Sequence, residues 1–163
     1  MMEQLEQHQY WMQKAIELAT EAGKQEEIPV GAIVVDENNQ LIAQANNQKQ
    51  ANQDPTAHAE IIAIQRATQK LQQWRLNKCS LYVTLEPCPM CAGAIVQARL
   101  KTLVYGVDDF KTGAIRTVIN IPDSLASYHR LQVFAGIKEN DCRHLIQSWF
   151  VEKGKGQRAK DRW

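Results

Sequence analysis

The spacing of hydrophobic positions changes several times along the chain, and each change marks an element. From about Gln7 to Gln25, Trp11, Ala15, Leu18, Ala19 and Ala22 recur at helical steps and form one apolar stripe, which predicts an amphipathic helix. Pro29 ends that pattern. Val30-Gly31-Ala32-Ile33-Val34-Val35 follows as an unbroken apolar run, the mark of a strand buried on both faces. Asp36-Glu37-Asn38-Asn39 reads as a turn, and Leu41 to Ala45 as the returning strand of a hairpin. Asp54-Pro55-Thr56 then leads into a helix over about Ala57 to Leu71.

The second half repeats this alternation. A strand is expected from Leu81 to Leu85, a helix from about Pro89 to Ala98 and a strand from Thr102 to Val107. Asp108 to His129 is loop-rich, broken by Lys111-Thr112-Gly113 and Ile121-Pro122-Asp123. Leu131 to Ala135 reads as a last strand and Glu139 to Glu152 as a closing helix. Strands alternating with helices predict an α/β layered domain, its sheet beginning as a hairpin and continuing parallel.

Length and composition add bounds. The chain of 163 residues fits one domain, taken as 1–152, and no internal repeat or linker divides it. Lys153, Lys155, Arg158, Lys160 and Arg162 crowd residues 153–163 against Asp161 alone, which predicts a flexible basic tail. That tail reads equally as a solvated end or as a phosphate-contacting arm. The net charge of +1 gives no global case for nucleic acid. No apolar run reaches the roughly 20 residues that span a bilayer, and the polar start with Glu3 and Glu6 does not read as a secretory signal. A cytoplasmic protein is expected, and for the four cysteines Cys79, Cys88, Cys91 and Cys142 a reducing compartment favours thiolate or metal chemistry over disulfides.

Two clusters carry the chemistry. His58-Ala59-Glu60 opens one expected helix and Pro87-Cys88-Pro89-Met90-Cys91 opens another. Cysteines at i and i+3 share a helix face, so both sulfurs can reach one ion. Pro87 and Pro89 suit a first turn, and the electropositive helix start stabilises thiolates. Side chains tilt toward a helix N-terminus, so His58 can ligate while Glu60 sits beside the metal unligated. One histidine and two thiolates leave a corner open, as catalytic zinc requires and structural zinc does not. Water bound there is acidified toward neutral pKa. Taken singly, His58 reads as a core histidine, Glu60 as a solvated charge and the Cys88/Cys91 pair as a redox motif. Together, thirty residues apart, they match the recognised signature of zinc-dependent nucleobase deaminases, His-x-Glu then Pro-Cys-x-x-Cys. Cys79 and Cys142 read as buried apolar residues, and His8, His129 and His144 show no ligand spacing.

On these motifs, and on Ile28-Pro29-Val30-Gly31-Ala32, Asp54-Pro55-Thr56-Ala57-His58-Ala59-Glu60, Leu81 to Ala94, Gly106 to Asp109 and Lys111-Thr112-Gly113-Ala114, the sequence resembles the bacterial tRNA adenosine deaminases of the cytidine deaminase-like superfamily. The resemblance runs from about Tyr10 to Phe150. It implies a three-layer α/β/α sandwich with a five-stranded mixed sheet, one Zn2+ per subunit and a homodimer. It makes His58, Cys88 and Cys91 the ligands and Glu60 the proton shuttle. It further implies that Asn47 hydrogen-bonds the base, Val30 packs on it, and Asp109 lies in the loop that meets the RNA. Asn47 on its own also reads as a turn residue at the hairpin end.

The implied reaction is adenosine to inosine at the wobble position of a tRNA anticodon stem-loop. Two departures bear on it: Ile115-Arg116-Thr117 replaces the small residues frequent in relatives, and Pro89 is shared with guanine deaminases. The alternatives are therefore a deaminase of a free base such as guanine, and a non-catalytic structural zinc module that binds nucleic acid, with Cys79 or Cys142 as fourth ligand.

Overall fold

A computed structural model describes residues 2–156 and 163, and the statements below concern these. The elements run α1 (Met2–Lys24), β1 (Gly31–Val35), β2 (Leu41–Asn46), α2 (Lys49–Asn52), α3 (Ala59–Leu71), β3 (Ser80–Leu85), α4 (Pro89–Gln97), β4 (Thr102–Val107), β5 (Gln132–Ala135) and α5 (Glu139–Glu152). The five strands form one mixed sheet in the order β2-β1-β3-β4-β5. β1 pairs antiparallel with both β2 and β3, and β3–β4 and β4–β5 are parallel. The hairpin followed by parallel strands is therefore as expected, with β1 turned inward so that its antiparallel pairing with β3 joins the two parts.

Alternation along the central strands builds a core on each side of the sheet. Ile33, Val35, Tyr82 and Val104 face one way and pack with Trp11, Met12 and Ala15 of α1 and Cys142 of α5. Ala32, Val34, Leu81, Val83, Leu103 and Tyr105 face the other way and pack with Ile62, Ala63 and Ala67 of α3 and Ile95 of α4. This is the three-layer α/β/α sandwich. All five residues of β1 are buried, as the unbroken apolar run required. Gly31 permits the tightest contact of that layer, since a Cβ there would meet Ala15 O and Ala19 N of α1.

Three local differences from the pattern have physical causes. α1 begins at Met2, five residues before the expected start: Met2 to Glu6 form an exposed extension with Glu3 in the first turn, where a negative charge favours the helix N-terminus, and burial starts only at His8, whose Nδ1 lies 2.8 Å from the Tyr82 hydroxyl. α3 begins at Ala59 rather than Ala57, because His58 is extended (φ −75°, ψ 149°) and serves as N-cap. The short α2 has no signature of its own; the buried Glu27 carboxylate accepts Gln50 and Ala51 N–H at 2.7 and 2.9 Å and satisfies its first turn.

Of the expected basic tail, residues 157–162, with Arg158, Lys160 and Arg162, lie outside the described residues. Lys153 caps α5 and pairs with Glu26, and the Trp163 ring packs on Phe150 at 4.9 Å between centroids. Among the described residues no helix is long and apolar enough to cross a membrane.

Candidate active site

Two helix starts converge at one end of the sheet. His58 is the N-cap of α3 and Cys88 the N-cap of α4, both with extended backbones. Pro89 holds the first position of α4, where its missing N–H costs nothing. Pro87 precedes the cap, so only one of the two prolines stands in the first turn. Cys91 follows one turn into α4 and Glu60 sits in the first turn of α3. An N-cap side chain points back over its helix end, which is how residues thirty positions apart meet.

His58 Nδ1 lies 3.7 Å from Cys88 Sγ and 3.5 Å from Cys91 Sγ. The three ligand atoms all fall within 4.8 Å of one another, a group that could hold a metal ion. Among the described residues that group has three members. Cys79 lies in the core between the sheet and α3/α4, and Cys142 on the opposite face beside α1, so neither joins it.

The electrostatics match a site built for a cation. The hydrogen bond from Cys91, aided by His58, brings the Cys88 thiol down to about 4 against the cost of burial. Cys91 is pushed up by that same bond and by burial. The Cys88 hydrogen bond raises His58. Burial pushes the Glu60 carboxyl up to about 7, with Glu60 only 4% exposed. A carboxyl near neutrality can both take and release a proton in the same cycle.

His58, Glu60 and Cys88 floor a cleft of about 170 Å³, walled by Ile28, Val30, Asn47, Glu86 and Asp109. The cleft therefore gathers His58, Cys88, Glu60 and the three expected substrate contacts, while Cys91 lies fully buried behind His58 and Cys88.

The sequence matches the family model described as MafB19-like deaminase over residues 6–144. The chain belongs to that deaminase family. It is similar to the protein named tRNA-specific adenosine deaminase of Haemophilus influenzae, at 43% identity over 142 residues, covering 87% of this chain and 82% of the relative. The Bacillus subtilis protein of the same name is 39% identical over 153 residues, covering 94% of each. A solved structure from studies of A-to-I editing by tRNA:A34 deaminases at the wobble position of transfer RNA superposes with a TM-score of 0.81. It is 38% identical and covers 83% of this chain and 98% of that one. The resemblance carried by the sequence motifs thus extends to the whole fold.

Within this cleft the three expected substrate contacts are held differently. Asn47 is 5% exposed; its Oδ1 accepts the Ala59 N–H at 2.9 Å and its Nδ2 donates to Ile28 O at 3.1 Å. It therefore braces the start of α3 as well as facing the cleft. Val30 presents a buried apolar wall. Asp109 is 1% exposed and its carboxylate is engaged in its own loop, accepting Lys111 N–H at 3.0 Å and the Thr112 hydroxyl at 2.7 Å.

Glu86 escaped the sequence reading. It ends the apolar run of β3 just before Pro87-Cys88, and its buried carboxylate receives the loop after β4. Oε2 accepts Asp109 N–H at 2.9 Å and the Thr117 hydroxyl. Oε1 accepts Ile115, Arg116 and Thr117 N–H at 3.2, 2.9 and 3.0 Å. Outside the same loop, Arg116 forks onto Asp108 at 3.1 and 3.0 Å, and Tyr105 donates to Asp108 at 2.7 Å. The one available signal was a charged residue directly after an apolar strand end.

Proposed function

We propose that the chain is a zinc-dependent hydrolytic deaminase that converts adenosine to inosine at the wobble position of a tRNA anticodon stem-loop. The observation that carries this is the three-membered His58/Cys88/Cys91 group, with the buried Glu60 carboxyl outside it and lining the same cleft as His58 and Cys88. The donor set fits zinc. Tetrahedral Zn–N and Zn–S bonds of about 2.05 and 2.3 Å put their ligand atoms about 3.6 Å apart, against the observed 3.7 and 3.5 Å. Three protein donors leave a fourth corner open, which favours catalysis over a structural module.

When bound, the ion supplies Lewis acidity that lowers the pKa of a water molecule. Glu60 takes a proton from water as oxygen bonds to C6 of adenine, and delivers it to the ring. It then moves a second proton to the amino group, which departs as ammonia. Asn47 retains a second Nδ2–H and a second Oδ1 lone pair for the base, and Val30 supplies an apolar surface against the ring. Asp109 belongs to the wall facing the RNA. A stacked anticodon base must be splayed out to enter.

The homodimer and a cytoplasmic setting belong to the same reading. Val118, Ile119, Leu125 and Tyr128 expose apolar surface of the kind a partner subunit covers. The deciding experiment incubates zinc-loaded protein with an anticodon stem-loop and reads inosine by mass spectrometry, with ammonia release from free guanine as comparator. Inosine in the RNA supports the reading. Ammonia from guanine alone replaces it with a free-base deaminase, and neither product leaves a binding module.

A further inference from the structure

We infer that Glu86 is a positioning residue: by accepting four main-chain N–H groups and one hydroxyl from the loop Asp109–Thr117, it fixes the wall of the cleft against which the RNA substrate is bound. This rests on the function proposed above. Five donors converge on one carboxylate that is 2% exposed. An ionised carboxylate has about four lone-pair sites, so Glu86 is saturated by this loop and contributes to the cleft through it.

The loop has no helix or strand of its own between β4 and β5, and its conformation must come from such bonds. Ala114 N–H adds one to Pro87 O at 2.9 Å, so the loop is tied to the two residues that lead directly into the Cys88 cap. The fit is close. A Cβ on Gly113 would overlap Glu86 Oε2 and Asp109 O, so glycine there lets the loop backbone approach the carboxylate. The same bonds hold Asp109 and Thr112 at the cleft margin, where both line it. The wall that meets substrate and the helix that carries two metal ligands therefore share one anchor.

The test is E86Q, which keeps the shape but places an amide NH2 against main-chain donors. Substrate affinity and chemistry are read separately in zinc-loaded protein. The Kd for an anticodon stem-loop, by fluorescence anisotropy, and KM are expected to rise about tenfold or more, the scale of a lost charge-assisted bond. The single-turnover rate at saturating enzyme is expected to stay within about threefold, with zinc content unchanged. Amide exchange is expected to accelerate at Asp109, Ile115, Arg116 and Thr117 and not across the sheet. Unchanged Kd and KM with those amides released would overturn the proposal and leave Glu86 a structural residue.

T117V covers the case in which E86Q does not fold. It removes only the hydroxyl donor and is expected to raise Kd about threefold, whereas T117S, which keeps the hydroxyl, is expected to bind as the wild type does. Equal Kd for both variants counts against the proposal. A wild type that forms no inosine defeats the functional reading, and this proposal falls with it. A wild type that edits beside an E86Q that binds normally defeats the role of Glu86 alone.

Discussion

Asn47 Oδ1 accepts the Ala59 N–H at 2.9 Å, so the residue just after the β1–β2 hairpin holds the first helical residue after His58. The N-cap histidine makes no side-chain cap bond to its own helix. An imidazole that capped α3 would be turned away from the sulfurs. Because another residue satisfies the helix start, His58 Nδ1 is left facing Cys88 and Cys91.

Glu60→Ala will retain one zinc per chain and lose turnover by about 10³-fold, within the range for removal of a general acid–base. Metal analysis and inosine formation are measured on the same preparation. A variant that loses its metal would make Glu60 a ligand and overturn its assignment as proton carrier.

Cys91→Ser removes a buried thiol from the group proposed to hold zinc. Zinc held at about 1,000 times its Kd stabilises a fold by roughly 4 kcal/mol, which for a chain of this size is roughly 10 °C in Tm. Chelator will lower the wild-type Tm by that order and leave the Cys91→Ser Tm almost unmoved. Equal shifts in both proteins would place the metal elsewhere.

Burial lowers the pKa of His8, which sits against Tyr82 and Phe134. The unfolded chain therefore binds a proton at His8 more readily than the folded one. Stability from this group is complete above the unfolded value of about 6.5 and is lost as pH falls from there through the folded value. Urea midpoints at pH 7.5 and 5.5 will show a steeper acid loss for the wild type than for His8→Gln. Parallel midpoints would mean that His8 does not titrate on unfolding.

Gly31→Ala will destabilise the fold by about 2 kcal/mol or more, because its methyl meets α1 backbone rather than a movable side chain. Urea denaturation measures the loss. Zinc content per folded molecule is expected to be unchanged, since Gly31 touches none of the three ligands.

Much of the site was legible in the sequence because it is built from short-range rules. Cys88 and Cys91 share a helix face at i, i+3. Pro89 marks a helix start, and the apolar run Val30–Val35 announces a strand buried on both sides. The role of Glu86 was not legible. Its partners are mainly main-chain N–H groups 23 to 31 residues later, and every residue except proline carries one. Glu27 hid its cap on α2 in the same way, and His8 found Tyr82 across 74 residues.

The sequence by itself determined the elements apart from the short α2, the His58/Cys88/Cys91 set that could hold a metal ion and the position of those residues at helix starts, because periodicity and capping act within a few residues. The tertiary structure decided that β1 lies between β2 and β3, that Asn47 braces α3, and that one buried carboxylate shapes the loop beside the cleft. Those depend on which surfaces meet when two helical layers close over a sheet. Such long-range packing leaves no periodic trace in the chain.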